Sequence, residues 1–131
     1  MPALNFQPRF VPLIVQGKKS STIRAFRKDG RDSKPGDKLY LYTGMRTKHC
    51  KAIGTVYCRE TTEIEIDEHG IRQYSQAAGC FLKASPLLEL LIAQRDGFSD
   101  FEEMRDWFKR QHGLPFRGLL IEFSPFCAGY N

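Results

Sequence analysis

Gly17-Lys18-Lys19-Ser20-Ser21-Thr22-Ile23-Arg24 is the stretch on which the reading of this chain turns. It opens with a glycine, which suits the position just after a helix's last turn. It then passes into β-branched and apolar residues that favour a strand. Upstream, Phe10, Leu13 and Ile14 share one face of a helix predicted over Arg9 to Gln16, with Pro12 tolerated in its first turn. Downstream, Ser20 to Phe26 reads as a strand. Strand side chains alternate, so Thr22 and Arg24 point to one face and Ile23 to the other.

Moving outward, Arg27-Lys28-Asp29-Gly30-Arg31-Asp32-Ser33-Lys34 is a polar loop and Pro35-Gly36-Asp37 a turn. Lys38 to Thr43 alternates polar and apolar residues as a strand does, and Met45 to His49 is a basic loop. Lys51–Arg59 and Thr61–Asp67 are predicted as two strands. Glu68-His69-Gly70 turns the second into Ile71–Tyr74, a hairpin. Ser85-Pro86 opens a helix through about Arg95, and Asp96-Gly97-Phe98 breaks it. Ser99-Asp100-Phe101-Glu102 reads as a capping box with Glu102 as the reciprocal partner. The helix it opens carries Phe101, Met104, Trp107 and Phe108 on one stripe, read as core, and Gly113 ends it. Gly118 to Phe123 is a closing strand. The expected class is α+β: a mixed, mostly antiparallel β-barrel or half-barrel with two to three helices packed at one side.

The 131 residues suit one domain over 1–131, with a core at about 6–124. Hydrophobic content of 41% and charged content of 27% exclude a disordered chain. No apolar run reaches the roughly 18 residues a spanning helix needs, so no membrane association is expected. Met1-Pro2-Ala3-Leu4-Asn5-Phe6 lacks a basic segment followed by an apolar one, so no secretory signal is expected. Cys50, Cys58, Cys80 and Cys127 form no Cys-x-x-Cys pair and read as reduced thiols of a cytoplasmic protein. The spacing of His49, Cys50 and Cys58 matches no standard zinc pattern; neither a metal nor another cofactor is expected. Charge is unevenly spread. Residues 1–58 carry +9 and residues 59–131 carry −4, which places an anion-attracting surface in the N-terminal half.

The order Gly17-x-Lys19-x-x-Thr22-x-Arg24, Pro35-Gly36-Asp37, Asp96-Gly97-Phe98 and Ile121-Glu122-Phe123 resembles the ASCH-domain family, across about Phe10 to Ser124. The resemblance implies a PUA-like β-barrel associated with RNA binding. One bacterial branch of that family hydrolyses N(4)-acetylcytidine, using a lysine and a threonine of the first motif and a carboxylate before the later amphipathic helix. Carried over, these fall on Lys19, Thr22 and Asp96. The branch has glutamate at the last position, one methylene longer than Asp96.

Beside a protein-interaction or regulatory domain that would use the same cleft for another anion, two functions follow as expectations. The first is binding of RNA or of a nucleoside or nucleotide. Lys18, Lys19, Arg24, Arg27 and Lys28 would make the phosphate contacts, with help from Arg46 and Lys48, and Tyr40 and Tyr42 could stack a base. The second is metal-independent amide hydrolysis. Thr22 would be the nucleophile and Lys19 its base, provided its neutral form is reachable; Arg24 would stabilise the oxyanion or hold a phosphate, and Asp96 would orient Lys19 or shuttle the leaving amine's proton. Each residue also has a plain alternative. Lys19 and Arg24 could serve only as phosphate contacts, Thr22 as a strand residue, Asp96 as a surface turn residue, and the tyrosines as barrel packing. The oligomeric state is open.

Overall fold

One long strand organises the molecule, a computed structural model that describes residues 3–124. β4 (Lys51–Asp67) runs unbroken for 17 residues where two strands were expected. Its first half pairs with β3 (Lys38–Thr43), and residues 58 to 66 pair with β7 (Phe116–Phe123). Its end turns through Glu68-His69 into β5 (Gly70–Ser75), the expected hairpin. Arg59-Glu60 looks like a break in the sequence. In the structure it is only a shift in register between Cys58 and Glu60. An irregularity of this kind bends a strand without ending it, which lets β4 exchange one partner for another.

Two strands escaped the sequence reading: β1 (Ala3–Phe6) and β6 (Cys80–Lys83). Four residues are too few for alternation to be seen. β1 lies parallel to β3, and every other pairing is antiparallel. The order is β1-β3-β4-β5-β6, with β7 joining β4 to β2 (Ser21–Arg24). The class is therefore α+β with a mixed, mostly antiparallel seven-stranded sheet. The barrel, however, does not close among the described residues: β1, β2 and β6 each have a single neighbour. The bond between β1 and β2 comes from a side chain, with Arg24 Nη2 donating to the Asn5 carbonyl at 2.6 Å.

The predicted first helix is a 3-10 turn (Pro8–Phe10) followed by α1 (Val11–Val15). In α2 (Pro86–Arg95), Ser85 Oγ accepts from Leu88 N at 3.2 Å, the expected N-cap. In α3 (Phe101–Gln111) the cap sits one residue later than expected. Asp100 accepts from Glu103 N at 2.9 Å, and Glu103, not Glu102, reaches back to Ser99 N at 2.9 Å. The helices meet around Phe10, whose ring stands 5.6 Å from Phe98 and 6.0 Å from Trp107. Of the α3 stripe, Met104 and Phe108 are fully buried, whereas Phe101 and Trp107 are half-buried at the edge of the cluster. No helix among the described residues is long and apolar enough to cross a membrane. Cys50 and Cys80 are exposed free thiols, Cys58 is a buried one, and Cys127 lies outside the described residues.

Candidate functional site

Gly17 takes a left-handed φ of 77°, which ends α1 and lets the Lys18 and Lys19 amides both donate to the Leu13 carbonyl, at 2.9 and 3.0 Å. That closure turns the Lys19 side chain inward. It is 3% exposed, an uncommon place for a lysine. The partner is Asp96 at the C-terminus of α2, also 3% exposed rather than a surface turn residue. Lys19 Nζ donates to the Asp96 carboxylate at 2.8 Å and to its backbone carbonyl at 2.5 Å. Gly97 follows with φ 97°, a conformation that favours glycine, and a Cβ there would stand 3.1 Å from Phe10 and 3.3 Å from the Lys19 chain, close enough to press on both.

The β2 segment behaves as alternation predicts. Ile23 joins the core, while Thr22 and Arg24 share the other face. Arg24 Nε donates to Thr22 Oγ1 at 3.0 Å, and its guanidinium lies 4.7 Å from the Phe6 ring centroid. Lys19, Thr22, Arg24 and Asp96 all line one pocket of about 260 Å³, which lies at the seam where β1 and β2 fail to pair. Its walls are largely aromatic, with Phe6, Phe10, Phe98, Trp107 and Phe108, and Gln111 and His112 stand at its rim.

Burial sets the electrostatics. It pushes the Lys19 ammonium below its ordinary pKa; the Asp96 carboxylate opposes this, while Arg24 and Arg9 push the same way. Burial likewise pushes the Asp96 carboxyl up, against the opposing pull of Lys19 and Arg24. Both partners are thus drawn toward neutral amine and neutral acid. The direct contact with Asp96 raises the Lys19 pKa, but desolvation outweighs it. His112 is pushed down by burial and by the Arg24 charge.

The remaining expected site residues lie elsewhere. Lys18, Arg27, Lys28, Arg46 and Lys48 are exposed and do not line the pocket. Arg27 is held by Asp29 at 3.0 Å. Tyr40 and Tyr42 are half-buried on β3, away from the pocket, and alternate with Leu39 and Leu41, which are buried on the opposite face. The sequence reading missed Asn5, Gln111 and His112. It had assigned Trp107 and Phe108 to the core alone. No local signal marks Asn5. A Gln-His pair at a helix end beside a pocket-facing tryptophan could have been noticed, but only once the helix had been placed.

The α+β sheet has a counterpart among solved structures. The chain is similar to ZmASCH from Zymomonas mobilis in two substituted forms. One match has a TM-score of 0.53 at 16% identity, covering 92% of this chain and 66% of that one. The other has 0.50 at 17%, covering 93% and 66%. The chain thus spans just under two-thirds of the length of those proteins. No family model and no curated protein matches the sequence. At this identity the likeness is one of architecture: the chain has an ASCH-type fold.

Proposed function

We propose that the seam pocket binds a single nucleoside or nucleotide, free or as an unpaired residue of RNA. The observation that carries this reading is the meeting of Lys19, Thr22, Arg24 and Asp96 in one aromatic-walled pocket of about 260 Å³. Ring faces of Phe and Trp accept a base, and a few convergent polar groups orient it. The volume suits one small ligand better than a groove running along a strand of RNA. The exposed Lys18, Arg27, Lys28, Arg46 and Lys48 would then contact phosphates only when the base belongs to a longer chain. The test is titration with cytidine and with a short single-stranded RNA at low and moderate salt. Cytidine binding is expected to change little with salt, and RNA binding to fall steeply. Absence of binding by both overturns the reading.

A second reading, hydrolysis of an N-acylated cytidine, is favoured by the bonding around Lys19. Two of its N–H groups are spent on Asp96, and burial favours the neutral amine. In the neutral form of that amine the remaining position is a lone pair, a base. Thr22 Oγ1 accepts from Arg24 and keeps its own proton to give. Lys19 takes that proton as Thr22 Oγ bonds to the acyl carbon. The carbon–nitrogen bond breaks, and the leaving amine receives the proton back from Lys19. Water then cleaves the acyl-threonine, releasing the acid and restoring the hydroxyl. Release of cytidine from N(4)-acetylcytidine, abolished in Lys19→Ala and in Thr22→Ala, is the expected result. Undiminished turnover in both variants removes these roles.

A further inference from the structure

The pocket's charges do not balance. Lys19 and Asp96 neutralise each other at 2.8 Å, which leaves Arg24 alone. Among the described residues no carboxylate lies within ion-pair distance of its guanidinium. Asp96 is near enough to favour the Arg24 charge but is committed to Lys19. Arg9 adds a second cation beside the cluster, with its guanidinium 4.8 Å from the Phe10 ring that Lys19 faces from the same distance. Arg24 itself is positioned rigidly. One donor goes to Thr22, one to the Asn5 carbonyl, and its face rests on Phe6. The rest of its five donors have no protein partner among the described residues, and the side chain lines the pocket. Desolvation of this half-buried guanidinium lowers its pKa, a cost that an anionic partner relieves, and its planar fork matches carboxylate and phosphate oxygens.

We infer that Arg24 forms an anion subsite, so that the ligand of this pocket carries a phosphate or carboxylate group beside a planar ring. The ring lies against the aromatic wall, and the anion takes the unpartnered donors of Arg24. Phosphate and carboxylate share this chemistry. The inference rests on the reading of the pocket as a nucleoside site, and narrows it from neutral nucleosides to charged ones.

Calorimetric titration of the full chain with cytidine, cytidine 5′-monophosphate, orotate and inorganic phosphate tests it. At low salt the better of the two charged ring compounds is expected to bind about tenfold tighter than cytidine or more. Whether the monophosphate or orotate is that compound identifies the anion. In Arg24→Gln the ratio of charged to neutral affinity is expected to fall toward one. That variant loses the Asn5 contact, so its folding is checked by thermal denaturation. Independently of any variant, potassium chloride is expected to erode the charged ligand's advantage in the natural chain. Cytidine binding as tightly as both charged ring compounds overturns the anion subsite and leaves the nucleoside reading standing. Persistence of the charged ligand's advantage in a folded Arg24→Gln does the same. Inorganic phosphate binding through Arg24 while no ring compound binds upholds the subsite and removes the nucleoside reading. Binding by none of the four overturns both.

Discussion

Lys19 is tied to Asp96 through two different atoms of that residue, the carboxylate at 2.8 Å and the backbone carbonyl at 2.5 Å, across 77 positions of chain. The Lys19 side chain therefore ties the end of α2 to the start of β2, and both paired residues are nearly dry. Removing one partner of a buried pair strands the other without compensation, at a cost of about 3–5 kcal/mol. Lys19→Met and Asp96→Asn are each expected to lose stability on this scale. The double variant is expected to lose clearly less than the two single losses combined. Urea denaturation of all four proteins checks this, and strict additivity would contradict a direct pairing.

Two glycines hold the site open in different ways. At Gly97 the left-handed backbone and the nearness of Phe10 and Lys19 both oppose a side chain. Gly97→Ala is expected to cost about 1–3 kcal/mol. At Gly118 a Cβ would collide with the Arg24 carbonyl across the β2–β7 ladder, where nothing can give way without moving backbone. Gly118→Ala is expected to cost about 2 kcal/mol or more and to weaken ligand binding, because Arg24 would shift with its strand. Equal stability of both variants to the natural chain, by thermal and urea denaturation, would contradict these roles.

His112 supplies a pH dependence. Its folded pKa lies below the ordinary 6.5 because of burial and the Arg24 charge. Between those two values the unfolded chain binds more protons than the folded one, so stability rises with pH across the window. The contribution is complete above pH 6.5 and is lost as pH falls through the folded pKa. Solvent around the exposed ring keeps the effect small. His112→Gln is expected to show a smaller drop in urea midpoint between neutral and mildly acidic buffer than the natural chain does. An equal drop in both would assign the acid sensitivity to other groups. An anion on Arg24 is expected to raise the His112 pKa, which an NMR titration would follow.

Trp107 is the single tryptophan of the chain and lines the pocket. Its emission is therefore expected to change on ligand binding, through stacking and loss of water from the half-buried ring. Saturation of that change at the same ligand concentration as the calorimetric signal places the ligand in this pocket. Calorimetric binding with unchanged emission would place it elsewhere.

Much of the site was legible in the motif itself. Thr22 and Arg24 fall on one face because a strand alternates, and a Gly17 cap ends α1 whatever surrounds it. The pairing of Lys19 with Asp96 was legible only through the family resemblance, since the backbone path that joins them spans most of the sheet. The basic residues at Lys18, Arg27, Lys28, Arg46 and Lys48 share a charge with Lys19, and composition cannot rank them. Burial separates them, and burial is a property of the folded chain. The α3 cap slipped by one residue because Ser99 and Asp100 are both good caps, and their competition is settled by which side chain reaches a free amide.

Local sequence decided where helices stop, which strand face carries the hydroxyl and guanidinium, and that positive charge gathers in the N-terminal half. These depend on backbone geometry and neighbouring residues alone. The tertiary structure alone decided that β4 is continuous, that the sheet stays open between β1 and β2, and that Asn5 and His112 line the pocket. Each of these depends on contacts between segments far apart in the chain, where desolvation and packing rather than propensity set the outcome.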